Sequence, residues 1–201
     1  MIDAIGVGQL SAGEFALRLN ALRGTAVYAV YLATGDEIEA ALAEFEDELR
    51  AFDASAGIAR SPSRDAKELV ATLATESAEF VLVDAKSFLA ADWELLDRRR
   101  SSIAHPGVLV FVTTPRSFDE LMRHAPNLAS WLGGQVFAYS DDEPLLAAHR
   151  ERRLAALRAW ASQSDAEVLE AARAGTLPPD PEYAEWLVLL GHSELLDSRA
   201  P

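Results

Sequence analysis

Four apolar runs in this chain end in small polar or acidic residues, and those ends are where chemistry could sit. Residues 26–33 (AVYAVYLA) lead into Thr34-Gly35-Asp36-Glu37, and 79–84 (EFVLVD) end on Asp84, followed by Ala85-Lys86-Ser87. Residues 108–113 (VLVFVT) close on Thr113-Thr114-Pro115-Arg116, and 135–139 (QVFAY) on Ser140-Asp141-Asp142. Ligands of an open parallel sheet bind beyond the carboxyl ends of its strands. Thr34, Gly35, Asp36, Asp84, Thr113 and Thr114 are therefore the expected ligand-facing or vestigial site.

What these residues could do is limited by what surrounds them. A nucleotide-binding loop after the first run would read G-x-x-x-x-G-K-[ST], with backbone N–H groups and a Lys wrapped around phosphate. Gly35 instead stands alone, and the next basic residue is Arg50. Asp36 and Glu37 put negative charge where phosphate would lie, and as cap and first-turn residues they suit the positive end of a helix. Asp84 occupies the place of a Walker B aspartate, which holds Mg²⁺, but Ala85 and Lys86 follow where a catalytic Glu would stand. Thr113 and Thr114 sit in a sensor-like position that also fits turn chemistry before Pro115.

Other catalytic constellations do not form in the sequence. His105, His124, His149 and His192 have no i, i+4 pairing of the kind that holds a metal. No G-x-S-x-G elbow accompanies the serines. The absence of cysteine removes disulfides, thiolate metal sites and a thiol nucleophile. No cofactor, metal or catalytic residue is expected.

The elements that position these ends follow from periodicity. Ser11-Ala12-Gly13-Glu14 has the Ser-x-x-Glu spacing of a capping box, predicting a helix that stops at Gly24. A second helix to about residue 52 carries Ile38, Leu42, Phe45, Leu49 and Phe52 on one stripe. Glu39, Glu44, Glu46, Asp47 and Glu48 fall mostly off it, as a solvated acidic face or else a docking surface. Residues 57–61 read as a short strand, and Ser63 as the cap of a helix over 63–75. Helices are predicted over 91–103 and from Ser117, which has the same Ser-x-x-Glu spacing. Beyond Asp142 the pattern is helical, over about 143–162, 164–174 and 181–190. Apolar strands alternating with amphipathic helices predict a three-layer α/β/α sandwich, with a mainly parallel sheet of about five strands and a C-terminal helical extension.

With 32 acidic against 18 basic residues, the formal net charge is −14. A field of that sign repels nucleic acid and anionic membrane. Met1-Ile2-Asp3-Ala4-Ile5-Gly6 lacks the basic and apolar regions of a secretory signal. The longest apolar runs are far short of the ~20 residues that span a bilayer. A cytoplasmic protein is expected, contacting neither nucleic acid nor membrane. In the tail, Tyr183, Trp186, Leu187 and Leu190 recur at helical spacing, as packing residues or as an interaction surface. Any of Trp93, Trp131, Trp160 and Trp186 left exposed would be an interface anchor. Arg98-Arg99-Arg100 and Arg150-Glu151-Arg152-Arg153 read as salt-bridging residues of an acidic protein, or as contacts to an acidic partner surface.

From Phe80 to Tyr139 the chain reads FVLVDAKSF, a charged helix ending LLDRRRSSIAH, then GVLVFVTTPRSFDELMRHAPNLASWLGGQVFAY. Ala125-Pro126-Asn127-Leu128 with Ser130-Trp131 resembles the STAND branch of P-loop NTPases. The closer likeness is to the degenerate, inactive members of bacterial conflict and cell-death systems. The order of elements from Val27 and the helical tail agree with that resemblance. It implies a P-loop-NTPase-like domain without phosphate loop over residues 1–141, with a helical extension over 142–201 packed on it. It also implies a non-hydrolysing scaffold, or pseudoenzyme, with a protein partner such as an effector or adaptor from the same operon. A second likeness is to a two-component receiver domain phosphorylated at Asp84, with Asp36/Glu37 as its acidic pair and Thr114 as its switch residue. That likeness lacks the Lys expected after the last strand. A nucleotide sensor without hydrolysis is the remaining alternative.

Overall fold

A computed structural model describes residues 7–140, 143–192 and 194–197. The N-terminal hexapeptide and Asp141-Asp142 of the fourth strand end lie outside the described residues, as does the His149 side chain. The chain divides into two compact units, Met1–Ser140 and Asp141–Pro201.

The first unit is built on one all-parallel sheet of six strands, ordered β1-β6-β2-β5-β4-β3. Its strands are β1 (Gly8–Leu10), β2 (Val27–Leu32), β3 (Ile58–Ser61), β4 (Phe80–Asp84), β5 (Val108–Thr113) and β6 (Val136–Tyr139). Every residue of β5 is buried, because a parallel strand needs covering on both faces. Successive side chains alternate between faces. Ala29 and Tyr31 of β2 join α1 (Ala12–Asn20) and α2 (Ile38–Phe52) on one face. Tyr28, Val30 and Leu32 join the other layer, α3 (Ala66–Leu73), α4 (Ala90–Arg98), α5 (Pro115–His124) and α6 (Pro126–Trp131). The expected three-layer α/β/α architecture is observed, with six strands rather than about five. The extra strand is β1, whose Gly8, Gln9 and Leu10 pair with Phe137, Ala138 and Tyr139.

Local signals explain most helix ends, and three expectations need correction. Ser11 forms its capping box with Glu14, as predicted. Asp36 does not cap α2: the N-cap residue is Glu37, with no side-chain cap bond, and both carboxylates turn back onto Thr34. Asp65, not Ser63, caps α3, accepting from the N–H groups of Lys67 and Glu68 at 2.9 Å each. Thr114 caps α5, with Pro115 in its first turn, so the helix begins before the predicted Ser117. A proline with preset φ and a hydroxyl just before it outweigh the Ser-x-x-Glu spacing.

The two faces bury large aromatic groups, each worth roughly 1.5–3 kcal/mol. Phe15 of α1 stacks on Tyr31 at 4.4 Å and on Phe45 of α2 at 5.0 Å between ring centroids. On the opposite face Trp93 of α4 meets Phe88 and Phe111 edge-on at 5.2 and 5.5 Å.

At the amino ends of the strands one guanidinium ties three segments together. Arg23 donates through Nε and Nη2 to the two Glu79 oxygens, both at 2.6 Å, and through Nη1 to Asp53 at 3.0 Å. The hydroxyl and N–H of Ser55, then Arg23, hold Asp53 at about 2, and Arg23 lowers Glu79. Carboxyls depressed in the folded state stabilise it fully above their unfolded pKa, near ~4, and lose that contribution as pH falls through the folded value. Acid titration should therefore lower the unfolding midpoint between roughly pH 4 and pH 2. Arg23→Met should flatten that slope, and only modestly at high salt because all three groups are about one-third exposed.

The second unit comprises α7 (Glu143–Ala161), α8 (Asp165–Arg173), α9 (Pro181–Leu189) and the short α10 (Glu194–Asp197). Its core is Leu154, Leu157, Val168, Ala172, Leu177, Tyr183, Trp186 and Leu187. Ser164 supplies a second capping box with Glu167. The Trp186 indole donates to Asp165 at 2.9 Å, and Asp165 also pairs with Arg158 at 2.7 Å. Among the described residues no helix is long and apolar enough to cross a membrane.

Candidate functional site

The crevice of an open α/β sheet lies where adjacent strands send their helices to opposite faces. Here β2 enters α2 on one face, and its neighbour β5 enters α5 on the other. The two strands run in register from Val27↔Val108 to Leu32↔Thr113. The crevice therefore opens between the Thr34–Glu37 loop and Thr114, both at strand ends singled out in the sequence.

The loop after β2 is closed by its own carboxylates. Glu37 accepts the Thr34 N–H at 3.0 Å and the Thr34 hydroxyl at 2.5 Å. The same hydroxyl lies 2.8 Å from Asp36 and lowers its pKa. Glu37 thus offers an internal anion to a backbone donor that a phosphate loop would turn to its ligand. Gly35 has open space where a Cβ would stand. No neighbouring protein atom therefore requires a glycine at this position.

Across the crevice, the threonines hold the fold. Thr113 is fully buried and donates to the Ala85 carbonyl at 3.0 Å. Thr114 accepts the Ser117 N–H at 3.2 Å. Ser117, missed as a buried group by its helix-start pattern, accepts the Trp93 indole N–H at 3.1 Å and donates to Phe88 O at 3.0 Å. Arg116, beside them on the first turn of α5, is exposed.

Asp84 stands apart from this crevice, because β5 lies between β2 and β4. Its oxygens take the Lys86 ammonium at 2.8 Å and the Lys86 N–H at 3.1 Å. That carboxylate raises the lysine pKa, so Lys86 is held as a cation rather than as a neutral base. Asp84 also borders a cleft of about 160 Å³, with Glu39, Leu42, Arg60, Ser61, Pro62 and Leu82. This is smaller than the roughly 300–1,000 Å³ of a ligand pocket for a drug-sized molecule. Arg60, at its rim, binds Glu39 at 2.8 Å and Glu46 at 2.5 Å. The pairing of α2 with β3 through Arg60 had no signature in the sequence.

Among the described residues, every carboxyl shown with a displaced titration is displaced downward, by hydrogen bonds from N–H, hydroxyl or guanidinium groups. These groups are held as anions, which suits binding and ion pairing more than proton donation. Among the described residues no group of three or more His, Cys, Asp or Glu is placed to hold a metal ion.

The tail residues read as packing or as an interaction surface lie in or against the core of the second unit. Trp186 and Leu187 are fully buried and Tyr183 nearly so, while Leu190 packs partly buried against them. The exposed aromatic of that unit is Trp160, 51% exposed and edge-on to Tyr183 at 5.2 Å. Of the arginine runs, Arg98 pairs with Glu94 one turn away and Arg153 with Glu185 of α9. Comparison with protein-family models, curated proteins and solved structures finds no match to this chain.

Proposed function

We propose that the chain is a non-hydrolysing, STAND-like protein-interaction module that serves as a scaffold in a cytoplasmic bacterial signalling or defence assembly. The observation that carries this reading is the loop after β2. Its N–H and hydroxyl are bound by Glu37, and Asp36 adds a second charge, so an incoming phosphate meets two carboxylates and no lysine. The strand order supports it as well. β5 separates β2 from the strand of Asp84. A receiver-like sheet, ordered 2-1-3-4-5, would place those two strands side by side, which disfavours phosphorylation at Asp84 as the function.

Titration with Mg-ATP, Mg-ADP and Mg-GTP tests the proposal. Millimolar nucleotide should produce no heat and no shift in unfolding temperature. Micromolar binding, or ATP hydrolysis lost in Asp84→Ala, would replace the scaffold reading with a nucleotide sensor or an enzyme.

A further inference from the structure

The place of Asp84 at its strand end implies a Mg²⁺ ion there. A divalent cation needs carboxylate oxygens open to it and further oxygen ligands around it. The residues present do not fit that need. Asp84 Oδ2 accepts from the Lys86 ammonium at 2.8 Å, and Asp84 Oδ1 from the Lys86 N–H at 3.1 Å. Glu39, the other carboxylate on the cleft, is taken by Arg60 at 2.8 Å. The Ser61 hydroxyl is buried and lies 2.7 Å from that of Ser63. Among the described residues Asp84 belongs to no group of three or more His, Cys, Asp or Glu placed to hold a metal ion.

A cation is nevertheless needed at this point. The Asp84 side chain is only 16% exposed, and a carboxylate withdrawn from water is costly without a partner charge. Lys86 meets that demand from two residues away. Its main-chain N–H orients the carboxylate and its side chain folds back over it. Glu39, on the same cleft, acts on the same ammonium. The fields of two carboxylates therefore converge on Lys86, as they would on a bound metal ion. The choice of residue agrees. The chain has two lysines, Lys67 and Lys86, among 18 basic residues, and one of them stands here. An ammonium is a compact point charge, whereas the guanidinium that this chain uses elsewhere is a planar fork.

We infer that Lys86 is a resident cation that takes the place of a divalent metal ion at Asp84. The carboxylate is neutralised by the chain itself and needs no bound ion. The inference rests on the non-hydrolysing reading and deepens it. The loop after β2 lacks the means to hold a phosphate, and Lys86 occupies the position of the metal that would accompany one.

The test follows thermal unfolding of the full chain with and without millimolar Mn²⁺, a probe that suits carboxylate ligands. Lys86→Met removes the ammonium and keeps the main-chain N–H to Asp84, so the carboxylate stays oriented and loses its cation. Mn²⁺ should raise the unfolding temperature of Lys86→Met by about 2–4 °C more than that of the parent. Lys86→Gln, which loses the same charge but keeps a polar side chain, should respond alike. Adding Asp84→Asn to Lys86→Met should abolish the excess, which assigns the ion to Asp84. Equal shifts in the parent and both single variants would overturn the inference, as would an excess that survives Asp84→Asn. Neither outcome touches the module reading, because that reading falls only with nucleotide binding or hydrolysis by the parent chain.

Discussion

Gly107→Ala should destabilise the first unit by about 3 kcal/mol or more, at the upper end of what overpacking costs. A Cβ at Gly107 would overlap the carbonyl oxygen of Glu79, with the carbonyl carbon 3.0 Å away and the His105 ring nitrogen at 3.2 Å. The obstacle is backbone, so no rotamer change relieves it. That carbonyl accepts the Val108 N–H at 2.8 Å, and Gly107 O accepts the Val27 N–H at 3.2 Å. Pushing the chains apart therefore weakens the start of both central strand pairs. His105 is buried and bonds Ala78 O through Nε2 at 2.7 Å, which leaves that corner little room to shift. Thermal unfolding should show a loss of roughly 10 °C. Gly35→Ala is the control: its Cβ would meet nothing, so its midpoint should stay within about 0.5 kcal/mol of the parent. A large effect at Gly35 would mean that the loop after β2 is tighter than its geometry indicates.

Trp93→Ala should cost about 3–5 kcal/mol, the range for deleting a large aromatic from a core. Trp93 is fully buried between α4, α5 and the sheet, edge-on to Phe88 and Phe111. Its removal leaves a cavity under the carboxyl end of β5. Trp93→Phe separates packing from hydrogen bonding. It keeps one aromatic ring of the packing and loses the indole N–H to Ser117 with part of the ring volume, while the Ser117 hydroxyl still donates to Phe88 O. Denaturant titration should show a penalty for Trp93→Phe well below that of Trp93→Ala. Equal penalties would assign the stabilisation to the hydrogen bond.

Both sites bear on function, because they hold the strand ends in place. Thr113, Thr114 and Ser117 form one buried network that joins β5, α5 and the segment after β4. The residues that resembled a sensor are committed to that network. Among the described residues, chemistry at this end of the sheet would have to come from the exposed Asp36, Glu37, Lys86 and Arg116 and the partly buried Asp84. Of these, Asp36 and Glu37 are bound to Thr34, and Asp84 to Lys86.

Much of this protein was legible along the chain. Fully apolar runs such as VLVFVT announce strands covered on both faces, and the stripe through Ile38, Leu42, Phe45 and Leu49 announces a helix lying on them. These signals are local: they arise from side-chain period and from caps within a few residues, as at Ser11 and Ser164. The missing phosphate loop was also a local fact. Only the tertiary structure decided the strand order, because VYAVYL and VLVFVT carry no mark of which neighbour each will take. It alone made a strand of Gly8–Leu10, which is too short to show a period and is defined by pairing with β6. It placed Tyr183 and Trp186 inside the helical unit and left Trp160 outside, since one amphipathic stripe cannot say what covers it. It also brought Arg60 to Glu39 and Glu46 across 21 and 14 residues of sequence, forming a cleft whose walls meet only once β3 has crossed to the edge of the sheet.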